Sequence, residues 1–227
     1  APAPRAVILI VIDTLRPDHL GSYGDTRAVT PTLDSLAATG VRFTDAMTTV
    51  PVTLPSVTSL LTGRLPLHHG VRDNDRFVLD PAEETLAQRF HAAGWRTGAV
   101  LGSAVLSRDR GLSRGFETYD DHFDTPFPVY DPTLQPLTGE LARSQRRADV
   151  VTDRALTLVK SFGPAPYFLL VHYFDAHMFY DPPPRFMALH PGRPYDGEIS
   201  FVDTEIARLL RGVGPRKDAL VVVVSDH

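Results

Sequence analysis

Three places in the chain carry side chains suited to ester or metal chemistry, and each stands at the end of an apolar or helical segment. Asp13 follows the run Ala6-Val-Ile-Leu-Ile-Val-Ile12, and Asp226-His227 follow Ala219-Leu-Val-Val-Val-Val-Ser225. Thr53 opens the segment Thr53-Leu-Pro-Ser-Val-Thr-Ser-Leu-Leu-Thr-Gly63. Two carboxylates, an imidazole and a hydroxyl together form a donor set for a divalent cation with an activated nucleophile beside it. Taken singly, each has a plainer reading: an Asp at a strand tip caps the next element, and a Thr before Leu-Pro serves as a helix N-cap. As a nucleophile, Thr53 would face the positive end of a helix, which favours an anion there. Coordination to a cation would lower the pKa of its hydroxyl.

His172, Asp175 and His177 form a further cluster around the end of the apolar run Tyr167-Phe-Leu-Leu-Val-His-Tyr173. His172 falls within that run and reads as a satisfied core group or a support for the site. His177 lies past its end, where an imidazole can hydrogen-bond a substrate oxygen, ligate a second metal, protonate a leaving group or simply hold structure. Adjacent histidines diverge, so His68-His69 in a polar stretch read as a structural loop that could line the cleft.

The positioning elements follow from hydrophobic spacing. Val7–Ile12 is rich in β-branched residues and does not alternate, as expected of a strand covered on both faces. Thr30–Gly40 reads as a short helix, Val41–Ala46 as an alternating strand, Ser56–Leu61 as a helix stopped by Gly63, and Glu83–Ala93 as a helix closed by Gly94. Trp95–Leu101 is the next expected strand. Gly111–Gly139, with Pro126, Pro128, Pro132 and Pro136, reads as an irregular surface excursion. Leu141–Phe162 and Tyr195–Leu210 have helical spacing, with Tyr167–Tyr173 and Val221–Val224 as buried strands. Helices alternating with strands predict an α/β fold with a mostly parallel central sheet flanked by helices. The tips of such strands are where active sites form.

At 227 residues, 43% hydrophobic and 22% charged, the chain can bury a substantial core as one domain, residues 1–227. A formal charge of −4 gives no case for a nucleic acid polymer or an anionic membrane as partner. The positive charges are scattered, and Arg143, Arg146 and Arg147 read as one solvated helix face. The absence of cysteine excludes disulfides and thiolate metal sites. No apolar run approaches the roughly 18 residues that a membrane span requires. Ala1-Pro-Ala-Pro4 is a short lead-in that could follow a removed signal peptide.

In order along the chain, a set of motifs resembles the sulfatase branch of the alkaline phosphatase superfamily. They are Val11-Ile-Asp-Thr-Leu-Arg-Pro-Asp-His-Leu-Gly-Ser-Tyr-Gly24, Thr30-Pro-Thr-Leu-Asp34, Thr53-Leu-Pro-Ser56 with Leu60-Leu-Thr-Gly63, and His69-Gly-Val-Arg-Asp-Asn74. Gly115-Phe-Glu-Thr-Tyr-Asp-Asp121, Tyr173-Phe-Asp-Ala-His177, Tyr195-Asp-Gly-Glu-Ile-Ser-Phe-Val-Asp203 and Ser225-Asp-His227 complete it. The resemblance implies an α/β sheet with one or two divalent cations at the strand tips and a small anionic ester as substrate. It implies Asp13, Asp226 and His227 as metal ligands, Thr53 as nucleophile and additional ligand, and His177 in contact with the substrate or leaving group. Ca²⁺, Mn²⁺, Mg²⁺ and Zn²⁺ all suit such ligands. A periplasmic or secreted location is also implied.

The departures sharpen the expectation. Sulfatases carry at the Thr53 position a Cys or Ser that is oxidised to formylglycine, and threonine cannot yield that aldehyde because its Cβ bears a methyl. Val57 stands where the arginine of the usual Cys-x-Pro-x-Arg motif is found, and no clear Lys-x-His pair follows Gly94–Gly98. Threonine nucleophiles in this superfamily belong to phosphoryl-transfer members. The expected activity is therefore metal-dependent hydrolysis or transfer of phosphate mono- or diesters through Thr53. Sulfate-ester hydrolysis and catalytically degenerate binding of a metal and an anion are the alternatives. Family members also continue past the Asp-His pair, so this stretch is expected to be the N-terminal portion of the catalytic domain.

Overall fold

In the computed structural model the described residues are 4–123, 144–214 and 218–227. The strands, in chain order, are β1 (Ala6–Ile12), β2 (Arg96–Val100), β3 (Thr118–Asp120), β4 (Tyr167–Tyr173) and β5 (Ala219–Ser225). They form one parallel five-stranded sheet in the order β3-β2-β4-β1-β5. The helices are α1 (Pro31–Thr39), α2 (Thr53–Thr62), α3 (Pro66–His69), α4 (Leu86–Ala92), α5 (Ala148–Phe162), α6 (Pro184–Leu189) and α7 (Pro194–Gly212).

β1 explains the layering. Its even residues Ile8, Ile10 and Ile12 pack into one core with residues of α1, α5, α6 and α7. Its odd residues Val7, Leu9 and Val11 pack into a second core with residues of α2 and α4. A strand with two covered faces has no polar side, which is why its sequence does not alternate. The same parity aims Asp13, the next odd residue, toward the α2 face. Register does the rest: Ile12 pairs with Tyr173 on one side and Ser225 on the other, so the ends of β1, β4 and β5 are level. β4 and β5 lie on opposite sides of β1, the type of crevice in which parallel sheets bind ligands.

α2 begins at Thr53 and stops at Gly63, whose φ of 67° is the left-handed conformation a glycine C-cap supplies. Leu54, Val57 and Leu61 bury its apolar stripe. Each contributes about 1.5–3 kcal/mol of transfer free energy that anchors the helix on the sheet.

Five sequence expectations need correction. Val221–Val224 is a strand but not a buried one: β5 is the edge of the described sheet, and Leu220 and Val222 are exposed. Val41–Ala46 is no strand: Val41 and Phe43 are exposed, and no described strand pairs with the segment, so alternation alone lacked a partner edge. The turn-rich excursion contains β3, which pairs with β2 over three residues and is too short for a periodicity to register; its residues 124–139 lie outside the described set. His68 and His69 end the short helix α3, not a loop, with Gly70 as C-cap. Arg146 and Arg147 do not lie on a solvated helix face. They precede α5 and are 4% and 1% exposed. Arg146 donates to the Leu101 carbonyl at 2.9 Å and to Asp120 Oδ1 at 3.0 Å, while Arg147 donates to the Asp181 carbonyl at 3.0 Å. Burial with such partners is the exception to the rule that charge means surface. Arg143 and the expected helical residues Leu141 and Ala142 lie outside the described set.

Candidate active site at the tips of the central strands

The structure brings Asp13, Thr53, Asp226 and His227 together above the ends of β1 and β5. His227 Nε2 stands 3.7 Å from Asp13 Oδ1, 3.8 Å from Asp226 Oδ2 and 3.5 Å from Thr53 Oγ1. Asp13, Asp226 and Thr53 are all buried. Burial, and then the charge of Asp226, push the Asp13 carboxyl well above the usual carboxylate range, with Thr53 acting in the opposite sense. Two carboxylates so placed cannot both ionise comfortably without a positive partner.

Each of these side chains is fixed by an element far away in sequence. Asp226 Oδ1 accepts from the backbone N–H of Thr14 at 3.1 Å and of His227 at 2.9 Å. The Asp226 carbonyl accepts from Ser56 Oγ at 2.5 Å and Thr48 Oγ1 at 2.8 Å, tying β5 to α2. The N–H of Leu54, in the first turn of α2, donates to Asn74 Oδ1 at 2.9 Å, which secures the turn that presents Thr53. Thr14 turns the chain after β1 with φ of 53°, an unfavourable value for a β-branched residue. It is held there by its hydroxyl, which donates to the Ala176 carbonyl at 2.6 Å, and by Tyr195, whose hydroxyl donates to its carbonyl at 2.7 Å.

His177 is placed on the loop after β4. It is half-buried, with Nδ1 2.7 Å from the Met178 carbonyl and its ring stacked on Phe174 at 4.6 Å between centroids. It lies near enough to His172 to oppose protonation there. The loop is pinned from below by Glu198 of α7, which accepts from the N–H groups of Ala176 and Asp181 at 2.9 and 2.8 Å. Asp175 is buried and faces Arg147, with Oδ1 3.8 Å from Arg147 Nη2. His172, expected as a satisfied core group, is buried but not satisfied: neither ring nitrogen has a hydrogen-bond partner among the described residues. His69 is buried with Nε2 3.0 Å from Ser59 Oγ, a structural contact on α2.

Whether these residues suit a divalent cation can be tested on their unmet polar atoms. Asp13 Oδ1 and Asp226 Oδ2 are buried without hydrogen-bond partners among the described residues. Unpartnered buried carboxylate oxygens are costly, and their convergence beside an imidazole is what a hard or borderline cation neutralises. The residues fit.

A sequence profile described as Sulfatase matches residues 5–227. The chain belongs to the sulfatase family. Among curated sulfatases, it is 42% identical over 106 residues to arylsulfatase A of Bos taurus, covering 43% of this chain and 20% of that protein. It is 40% identical over 151 residues to N-acetylgalactosamine-6-sulfatase of Rattus norvegicus, covering 60% of this chain and 29% of the relative. This sulfatase-family chain thus spans well under half the length of those curated relatives. Its fold matches the solved structure of Ps i-CgsB with a TM-score of 0.81 at 24% identity, over 99% of this chain and 58% of that one. It also matches the phosphonate monoester hydrolase of Agrobacterium radiobacter with a TM-score of 0.76 at 19% identity, over 99% and 62%. At these identities the structures establish a common α/β architecture.

Asn74, Tyr195 and Glu198 stand within the motifs quoted above but were given no role there, and Arg147 was read as solvated. Asn74 left no local signal, since its partner is 20 residues away. Glu198 did leave one. It shares the helical stripe of Phe201, Val202, Glu205 and Leu209, so a carboxylate occupies a position the spacing assigns to the core.

Proposed function

We propose that this chain is the catalytic part of a metal-dependent hydrolase or transferase that acts on phosphate esters through Thr53. The observation that carries the reading is the Thr53 hydroxyl, buried at the start of α2 beside Asp13, with Oγ1 3.5 Å from His227 Nε2. Asp13, Thr53, Asp226 and His227 would hold one divalent cation. Such a cation supplies positive charge that lowers the hydroxyl pKa and stabilises the charge developing on the ester oxygens. The chain's own residues do the remainder. α2 fixes the Thr53 Cα, the Asn74 cap keeps its first turn in place, and burial keeps competing water from the hydroxyl. Thr53 Oγ gives up its proton to solvent and forms a bond to phosphorus while the bond to the alcohol breaks, and His177 hands the departing alcohol oxygen a proton that solvent then replaces. Water, or a second alcohol in a transferase, then cleaves the Thr53 ester and restores the hydroxyl.

Phosphate is preferred over sulfate because of residue type. Thr53 cannot become formylglycine, and Val57 stands where the usual sulfatase motif has arginine. Sulfate-ester hydrolysis is the second reading, favoured by the family and by its similarity to arylsulfatase A and N-acetylgalactosamine-6-sulfatase. The two are separated by assaying matched aryl phosphate monoester, phosphodiester and sulfate substrates with each divalent cation, with Thr53→Ala alongside. Phosphate turnover that vanishes in Thr53→Ala supports the proposal. Preferential sulfate turnover replaces it with the second reading, and full activity of a folded Thr53→Ala protein would sink the nucleophile.

A further inference from the structure

His172 is a core histidine without a core histidine's partners. It is fully buried near the end of β4, level with Val11 of β1, and both Nδ1 and Nε2 lack hydrogen-bond partners among the described residues. A structural histidine in such a place bonds a carbonyl or a hydroxyl, because an imidazole with neither costs the desolvation of both nitrogens. Its parity aims it toward the strand-tip cluster: Phe168 and Leu170, two and four residues before it, pack in the core that also holds Val11 of β1 and Leu54 and Val57 of α2. Asp13 Oδ2 lies 3.8 Å from Nε2, and one ligand atom each from Asp13, His172 and Asp226 fall within 4.8 Å of one another.

These spacings are too long for hydrogen bonds and close to those of atoms that share a cation. Two ligands each about 2.1 Å from a metal, at tetrahedral angles, stand about 3.4 Å apart. His172 Nε2 stands 3.8 Å from Asp13 Oδ2 and His227 Nε2 stands 3.7 Å from Asp13 Oδ1, each within a few tenths of an ångström of that value, on the two oxygens of one carboxylate. Neither ring nitrogen of His172 meets a hydrogen-bond partner among the described residues, which leaves a lone pair to coordinate. The buried groups that face it are Asp13 and Asp226, whose unmet oxygens call for the same cation.

We propose that His172 supplies a second imidazole nitrogen to the cation centre, which makes that centre selective for Zn²⁺ over Ca²⁺ and Mg²⁺. The inference rests on the cation centre of the proposed function and adds to it a ligand and a metal preference. Calcium and magnesium take oxygen ligands almost exclusively, whereas imidazole suits zinc and its neighbours. Two imidazoles, two carboxylates and the Thr53 hydroxyl are therefore a poor calcium cage and a good zinc one.

The test is done on the whole chain, stripped of metal and reloaded with Zn²⁺ or Ca²⁺. X-ray absorption at the zinc edge counts imidazoles, calorimetry measures affinity, and circular dichroism reports folding of His172→Gln. Two imidazoles per zinc in the wild type, one in His172→Gln, and a zinc affinity lowered at least 10-fold in a folded variant are expected, with Ca²⁺ bound at least 100-fold more weakly than Zn²⁺. The wild-type count decides by itself if the variant does not fold, since a single imidazole overturns the proposal. An unchanged count or zinc affinity in folded His172→Gln also overturns it, as does preference for Ca²⁺, while each leaves the centre standing. Failure of the wild type to bind either ion would overturn the centre and, with it, the proposed function.

Discussion

At the residue scale, the site is a set of liabilities that become assets only together. Asp13 and Asp226 are buried side by side, and burial, followed by the charge of Asp226, holds the Asp13 carboxyl well above its ordinary range. Removing one of the two charges should therefore stabilise the metal-free protein while weakening the cation site. Asp226→Asn keeps an oxygen to accept from the Thr14 and His227 N–H groups. Its metal-free form is expected to be about 1 kcal/mol more stable than wild type in urea, and its stabilisation by added Zn²⁺ should shrink sharply. A variant less stable than wild type in the absence of metal would show that the carboxylates do not repel. Thr53 is the complementary case. Thr53→Ala should lose about 10³-fold or more in kcat with little change in Tm, and Thr53→Ser should retain a measurable part of it, because only the hydroxyl is chemically required.

At the element scale, the tips of β1, β4 and β5 must stay level for these side chains to meet. Gly102, just past β2, lies under the β4 tip. A Cβ there would stand 2.7 Å from the Phe174 nitrogen and 2.8 Å from the His172 carbonyl oxygen, both backbone atoms that cannot swing aside. Gly102→Ala is expected to destabilise the fold by about 1–3 kcal/mol and to disturb the segment leading to His177. Denaturant unfolding measures the first effect and kcat on the ester substrate the second; wild-type values for both would mean that the strand ends yield freely. The first turn of α2 makes a gentler case. Asn74→Ala leaves the Leu54 N–H without its 2.9 Å acceptor, at a cost of about 1 kcal/mol read from the same unfolding curves.

At the scale of the whole molecule, the loop carrying His177 is coupled to the far core through a buried charge cluster. Arg147 faces two buried carboxyls, Asp175 and Glu198, and one positive charge cannot hold both ionised. Burial raises Asp175 to about 6 and Glu198 to about 8, the latter helped by the charge of Asp175. The native state therefore holds these protons more tightly than the unfolded chain does. Their contribution is fully present below the unfolded values and is lost as pH rises through about 6 and about 8. Tm should fall between pH 5 and 8.5, and Glu198→Gln, which keeps an acceptor oxygen, should flatten that fall. An equal slope in wild type and variant would assign the pH dependence to other groups.

The sequence by itself determined most of the frame and pointed to the candidate site residues. Strands buried on both faces need unbroken apolar runs, so β1 and β4 were legible as strands; β5 carries such a run as well, although it is the edge of the described sheet with Leu220 and Val222 exposed, and Asp13, Asp226 and His227 were legible as the residues at the tips of β1 and β5. Helices with one buried stripe need 3.6-residue spacing and a stop, so α1, α2, α5 and α7 could be read to within a few residues, except at the start of α5. Only the tertiary structure decided which of these groups meet. That depends on register and parity across the sheet, which put Ile12 opposite Ser225 and Asp13 on the α2 face with Thr53. It also reversed two readings that local pattern could not reach. Arg147 looked solvated and His172 looked satisfied, yet the first is buried against Asp175 and the second is aimed at Asp13. Whether a polar side chain is buried, and what it faces there, is fixed by contacts between segments far apart in the chain, and no local spacing encodes them.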